Sequence, residues 1–340
     1  MTVFGDDVLT FADLKQRMDP NGMPAQIAEL LMQSNPIIDD IPWKASNMPE
    51  GHRSTIRTEL PDVNLRRLNQ GTVSTKSVTN QIEDGMAMIE AWSTTDVKLL
   101  ELYGNEAATR MGEGRAFIES MGQKVAELTF EGSVADDDRE FNGIRIRYDS
   151  TTGDTGDNVL LAGGADAADN ASIYLVGWGP DVHGIYPKNT QAGLVHTDHG
   201  KQIIQEDDNL GGAKLSAYVD QWSWDCGLVV KDWRNIVRIA NIDVGQWLEV
   251  GDTTQNLDDY STNAMYLMAR AMHRIPNLSA VRPCFYMPRS VFEGFDVQSL
   301  ARTTANVFET RQVDGKMMTT FRGIPMKVCD QLGIAETVIS

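Results

Sequence analysis

The chain has 340 residues, 41% of them hydrophobic and 23% charged, with 48 Asp and Glu against 30 Lys and Arg and a formal net charge of −18. That balance opposes the basic face with which proteins displace counterions from phosphates, so specific nucleic-acid binding is not expected. No apolar run approaches the ~18 residues of a membrane span, and Asp6, Asp7 and Asp13 stand where a secretory signal would be basic, so neither insertion nor export is expected.

Residues 1–48 read as an extended arm with two short helices. TFADLKQRM has Thr10 as an N-cap and closes at Asp19-Pro20. MPAQIAELLMQSN places Ile27, Leu30 and Leu31 on one face, and NPIIDDIPW runs extended between two prolines.

Residues 49–88 read as a two-stranded projection. Its predicted limbs are HRSTIRTEL (His52 to Leu60) and GTVSTKSVTN (Gly71 to Asn80), rich in residues that favour extended backbone. The limbs offer only Ile56, Leu60, Val73 and Val78 as larger aliphatics, around a tip LPDVNLRRLN. A hairpin so poor in apolar surface is marginal alone in water, yet each limb reaches about 30 Å. Such an arm needs another molecule to stabilise it, which points to assembly rather than catalysis. Residues 50–80 are also locally basic: Arg53, Arg57, Arg66, Arg67 and Lys76 outnumber Glu50, Glu59 and Asp62. Residues 131–170, by contrast, hold ten acids and three arginines. A basic arm on an acidic body suits docking onto a neighbouring copy, while a solvated hairpin with incidental charges is the plainer alternative.

Further along, STTDVKLLELYG offers a Ser/Thr cap and a short helix. The strongest helical pattern is NEAATRMGEGRAFIESMGQKVAELTFEG, where Met111, Phe117, Ile118, Met121, Val125 and Leu128 make one stripe and Gly132 can end it. Gly112, Gly114 and Gly122 each weaken it by roughly 1 kcal/mol, so packing must support it. Residues 133–170 read as loop with short strands at most. Residues 171–240 (ASIYLVGWG, KQIIQE, AKLSAYVDQWSWD, CGLVVKDW) read as strands. LDDYSTNAMYLMARAMHRIP is a second amphipathic helix using Leu257, Ala264, Met265, Met268, Met272 and Ile275. VRPCFYMP is a short strand and SVFEGFDVQSLAR a short helix. KMMTTFRGIPMKVCDQL supplies two closing strands around a Gly-Ile-Pro turn.

Chemistry finds few candidates. His196, Asp198 and His199 in HTDHG stand on a predicted loop without further ligands and read as surface residues rather than a metal site. The aspartates of residues 133–170 lack the ordered spacing of a calcium loop. Trp222, Trp224 and Trp233 read as sheet core, with a sugar cleft as the sharper alternative. Cys226, Cys284 and Cys329 read as buried thiols, too few and too far apart for a disulfide framework. No nucleophile elbow, phosphate loop or dinucleotide fingerprint occurs, and neither a catalytic residue nor a cofactor or metal is assigned.

In that order the chain resembles tailed-bacteriophage major capsid proteins, most of all the coat proteins of short-tailed phages. The likeness rests on AELLMQSNPIIDDIPW, NEAATRMGEGRAFIESMGQKVAELTFEG, SIYLVGWGPDVHGIYPK, WDCGLVVKDWRNIVRIANID, FYMPRSVF and FRGIPMKVCDQL. The resemblance implies an α+β capsid fold: an N-terminal arm (1–48), an extended loop (49–88), a peripheral domain (89–240) with a spine helix at 104–129 and an insertion at 133–170, and an axial domain (241–340). In many relatives the strand similar to FRGIPMKV precedes the final return to the peripheral sheet. Its late position here resembles a permuted connectivity. The resemblance also implies a shell of pentamers and hexamers around a genome, formed as a precursor that expands. The loop cations Arg53, Arg57, Arg66, Arg67 and Lys76 would lie at the subunit interface. Scaffolding and portal proteins would be partners, a cement protein is left open, and assembly would occur in the host cytoplasm before the protein resides in the virion. Some relatives cross-link a loop lysine to a neighbouring asparagine with the help of a glutamate. Lys76 is the only lysine of the loop, no matching Asn and Glu can be placed, and no cross-link is expected. An encapsulin-like compartment and a carbohydrate-binding or carbohydrate-active protein remain the alternatives.

Overall fold

The computed structural model describes residues 32–103, 106–166, 168–205, 214–248, 263–301, 308–313 and 316–339. The expected helix at Thr10, the Ile27–Leu31 stripe and Leu257 lie outside them. The chain opens with α1 (Ile37–Asp40) and β1 (Trp43–Ala45), followed by the hairpin strands β2 (Gly51–Glu59) and β3 (Val78–Gly85). Next come β4 (Ala87–Asp96), α2 (Val97–Tyr103), the long helix α3 (Glu106–Glu131), α4 (Ile144–Arg147) and β5 (Val159–Leu161). A run of strands follows: β6 (Asn170–Trp178), β7 (Val182–Tyr186), β8 (Val195–Gln205), β9 (Lys214–Val230) and β10 (Ile236–Asp243). The remainder holds α5 (Val244–Leu248), α6 (Ala264–Arg274), β11 (Arg282–Met287), α7 (Arg289–Ala301), β12 (Phe308–Val313), β13 (Lys316–Phe321) and β14 (Ile324–Val328).

These elements form two compact units, each assembled from separated stretches of chain. The first comprises residues 88–125 and 191–226 with the end of the N-terminal segment. In it β9 pairs with β8 in antiparallel register, Val195 opposite Ser223 and Gln205 opposite Lys214, and with β4. Successive strand residues face opposite sides, so Tyr218, Asp220 and Trp222 share the face on which α3 lies. Phe117 of α3 stacks on Trp222 with ring centroids 4.8 Å apart and planes 3° from parallel. Gly114 permits this approach, because a Cβ there would stand 3.3 Å from the Trp222 ring. Met121 and Val125 of the predicted stripe are buried.

The second unit comprises residues 34–87, 126–190 and 227–340. Its centre is a seven-stranded sheet in the order β12-β13-β14-β11-β6-β10-β5. β10 runs parallel to β5 and β11 parallel to β14, and the other described pairs are antiparallel. Every residue of β6 is buried, as expected for a strand covered on both faces. Ala171, Ile173 and Leu175 face a core completed by Trp247, Leu267, Met268 and Phe295 from α5, α6 and α7. Asn263 caps α6, its Oδ1 accepting from the Met265 amide at 3.0 Å.

The opposite face of β6 meets Phe130, whose ring centroid is 5.3 Å from that of Tyr174. Beside it the buried Arg238 donates to Ser172 Oγ (3.1 Å), the Tyr148 carbonyl (3.0 Å) and Glu336 Oε2 (2.6 Å). Asn241 holds residue 339 in turn, donating to its carbonyl at 2.6 Å and accepting from its amide at 3.0 Å.

Several expectations change. The second hairpin limb is Val78–Gly85, not Gly71–Asn80, and β4 was not anticipated at all. HTDHG lies on strand β8 rather than a loop. The closing turn is Arg322-Gly323, both at positive φ (48° and 87°), and Ile324 and Pro325 already belong to β14. The boundary expected at residue 240 falls inside β10, whose sheet draws on chain from both sides of it.

Candidate assembly surface

β2 and β3 form a two-stranded sheet of their own, from Gly51 opposite Gly85 to Glu59 opposite Val78. Its base is held firmly within the second unit. Arg147 of α4 donates from Nη2 to Asp84 Oδ1 at 2.7 Å and to the Asn142 carbonyl at 3.0 Å. The Asp84 side chain is 3% exposed, so this carboxylate depends on its cation. A Cβ on Gly51 would stand 2.5 Å from the Asp84 carbonyl oxygen, and one on Gly227 of β9 would stand 2.5 Å from that of Gly85. Glycine is therefore required where the hairpin meets the body. Asn47 imitates a paired strand: its Oδ1 accepts from the Arg53 amide (2.8 Å) and its Nδ2 donates to the Arg53 carbonyl (2.7 Å).

His52 on β2 meets His183 on β7 edge to face at 5.8 Å between centroids. Burial, with Lys44, His52 and Lys231 nearby, lowers the His183 imidazole to about 4, against a hydrogen bond to the Pro180 carbonyl that raises it. The base is thus a neutral-imidazole and ion-pair contact.

Beyond Ile56 the character reverses. Residues 60–77 form no ladder and every one but Ser77 is exposed. Thr75 Oγ1 donates to the Asp62 carbonyl at 2.8 Å, and the chain turns at residues 67–70 with Asn69 at φ 63°. Leu60, Val63, Leu65, Leu68 and Val73 are all at least 78% exposed. Single exposed aliphatics are ordinary, whereas here five stand on one projection.

The five expected cations divide. Arg53 pairs with Glu83 across the hairpin. Arg57 lines a groove of about 630 Å³ with Asp154, Asp181, Lys231, Asp232 and Trp233. Arg66, Arg67 and Lys76 stand exposed on the tip, so the five do not form one cluster. Sequence reasoning missed Asp84 and Arg147, because two ordinary ions 63 residues apart carry no local pattern.

The other candidate residues have settled partners. Asp220 accepts two bonds from Arg110 (3.0 and 2.7 Å) and contacts His196 Nε2 at 3.0 Å, while Asp198 lies 2.8 Å from Arg110. Asp198 is held below the usual carboxylate range, first by the Gly200 amide and then by Arg110. His199 instead contacts Gln221 (2.7 Å) and stacks on Trp92. Strand periodicity puts His196 and His199 on opposite faces. Among the described residues no group of three metal-ligating side chains converges. Trp222 is 4% exposed beneath Phe117, and Trp233 stands on a short helical turn of the second unit.

A family model described as "Major capsid protein GP7" matches residues 19–340. The chain belongs to this family. A chain in the near-atomic resolution structure of bacteriophage epsilon15 is 27% identical, with a TM-score of 0.74, covering 99% of this chain and 98% of that one. More distant are the holo-SrpI encapsulin complex of Synechococcus elongatus (11% identity, TM-score 0.43, covering 69% and 96%) and the bacteriophage JBD30 capsid (8%, 0.45, covering 93% and 94%). No match is found among curated proteins. As a member of the GP7 family the chain is the major capsid protein of a tailed bacteriophage, a structural component of the virion with the α+β capsid fold, and it assembles with copies of itself.

Proposed function

We propose that copies of this chain associate as pentamers and hexamers of an icosahedral head around double-stranded DNA, each laying its hairpin tip on an adjacent subunit. The observation that supports this is the pairing of a firmly anchored hairpin base with a tip carrying five exposed aliphatic side chains. Arg57, Arg66, Arg67 and Lys76 are the cations that meet an acidic neighbour, while Arg53, engaged by Glu83, fixes hairpin register. In this reading residues 1–48 are the arm, 49–88 the extended loop and α3 (Glu106–Glu131) the spine helix of the peripheral domain. The net charge of −18 keeps the shell from adhering to packaged DNA. Assembly takes place in the host cytoplasm with scaffolding and portal proteins, through a precursor that expands, and no step requires catalysis.

Hydrogen exchange tests the reading. Residues 60–77 exchange at nearly free-chain rates in the unassembled protein, and slow at least tenfold in particles seen by negative stain. Equal protection in the two states, or a protein that stays monomeric under assembly conditions, rules the reading out.

A further inference from the structure

We infer that an arginine from the hairpin tip of a second copy, Arg66 or Arg67, seats its guanidinium on an open sheet face of the first unit made by Met88, Glu90, Trp92 and Asp225. The inference rests on the assembly reading and names the surface that receives the tip. Successive strand residues face opposite sides, so Met88, Glu90 and Trp92 share one face of β4. Gln221 and Asp225 likewise share the face of β9 turned away from Asp220 and Trp222. Gln221 joins the two rows, its Nε2 donating to Glu90 Oε1. Met88 is 80% and Trp92 51% exposed. His199 stacks on Trp92 with ring centroids 5.3 Å apart and planes 17° from parallel, and its Nε2 contacts Gln221 at 2.7 Å. The indole is thus held from one side while half of its surface stays open.

Charge identifies the occupant. On the α3 side of the sheet, Arg110 already neutralises Asp198 and Asp220, at 2.8 and 2.7 Å. On the open side, Glu90 and Asp225 meet no cation among the described residues. The Asp225 carboxyl is raised above the usual carboxylate range, first by burial and then by the Glu90 charge. Two like charges beside an exposed indole are complementary to a planar cation. A guanidinium stacks on an aromatic ring and forks its N–H groups towards carboxylates, which an ammonium does less well. The tip supplies that cation between apolar neighbours: Arg66 and Arg67 are exposed, and the flanking Leu65 and Leu68 are 102% and 94% exposed. Met88 and Trp92 stand about 13 Å apart along β4. A leucine on Met88 and the long side chain of an arginine two residues away cover that span. Charge, shape and spacing agree.

The test places a photo-reactive benzoylphenylalanine at Leu65 in the full chain and assembles particles from an equal mixture of isotope-labelled and unlabelled protein. Mixed-label cross-links are expected to the tryptic peptides 77–98 and 215–231. Mixed-label cross-links confined to other peptides, or no cross-link, would overturn this inference and leave the assembly reading standing. Same-label pairs alone, or a failure to form particles, would overturn both. As a second measurement, Glu90→Arg and, separately, Arg66→Glu with Arg67→Glu should each raise the concentration threshold for particles at least tenfold, with the urea midpoint unchanged. Combining the three substitutions should return the threshold to within about threefold of the wild type, because the exchanged charges meet again. A combined variant that assembles no better than either parent would overturn the inference.

Discussion

Replacing Leu65 and Leu68 with serine should separate assembly from folding. In the free chain these side chains are 102% and 94% exposed, so removing them takes no contact from the monomer. Surface changes of this kind shift stability by within about 0.5 kcal/mol. On a neighbouring subunit, full burial of one leucine is worth about 1.5–3 kcal/mol. If half of that surface is covered, the pair contributes about 1.5–3 kcal/mol per subunit, which is roughly 12- to 150-fold in an association constant. Urea unfolding of the unassembled chain, followed by circular dichroism, should give the wild-type midpoint. The concentration threshold for particle formation, read by light scattering and sedimentation, should rise at least tenfold. A double variant that assembles at the wild-type threshold would refute the reasoning. So would a urea midpoint displaced by the equivalent of about 2 kcal/mol, because tip residues that pack on their own body would produce that loss.

Other predictions concern the body. Arg147→Ala strips a buried carboxylate of its cation and should cost about 3–5 kcal/mol in urea unfolding. Adding Asp84→Ala should recover at least half, and a double variant no better than the single would show that the pair is not coupled. Burial pushes the thiols of Cys226, Cys284 and Cys329 up to about 12, so native protein at pH 8 should give no Ellman reaction while denatured protein gives three thiols. One thiol titrating in the native state would contradict the burial of its site. His183, lowered from 6.5 to about 4 by burial, binds its proton more readily in the unfolded chain. Its contribution is therefore complete above pH 6.5 and fades as the pH falls towards 4. His183→Asn should flatten the stability–pH slope between 6.5 and 5, and an unaltered slope would remove this histidine from the account.

How much of this was legible in the sequence depended on the reach of each signal. The α3 helix announced itself because Met121, Val125 and Leu128 repeat with the helical period and are buried as that period requires. Strand β8 could not be read from HTDHG, since its residues are exposed almost throughout and a polar strand carries no alternation. Its ladder to β9 holds it instead. β4 was missed for a similar reason: exposed Met88 and Trp92 share a face with Glu90, which hides the usual inside–outside pattern. The error in the second hairpin limb is the most instructive. Residues 71–77 have strong extended propensity but pair with nothing, because register is set from the buried end, by Gly51, Ser54 and Asp84. Those constraints, like the Asp84–Arg147 pair, are contacts between distant residues, and local composition does not encode them.

A buried ion pair is an odd choice for strength alone, since desolvation consumes most of its attraction and well-packed apolar groups serve stability as well. At the hairpin base it supplies direction. The guanidinium of Arg147 is shared between Asp84 Oδ1 and the Asn142 carbonyl, so its plane, and with it the strand carrying Asp84, is fixed in orientation as well as position. The paired stretch above this point is a lever about 27 Å long. A base loosened by about 10° would carry the tip about 5 Å sideways, one strand spacing, and a leucine aimed at a neighbouring subunit would miss its site. Precision at the base matters because the tip is soft: it has no ladder to correct its own aim. Arg147→Ala should therefore impair particle formation even when the temperature is lowered until the variant is as fully folded as the wild type. An apolar base of equal strength would not have the same effect on tip placement, because apolar contact is non-directional.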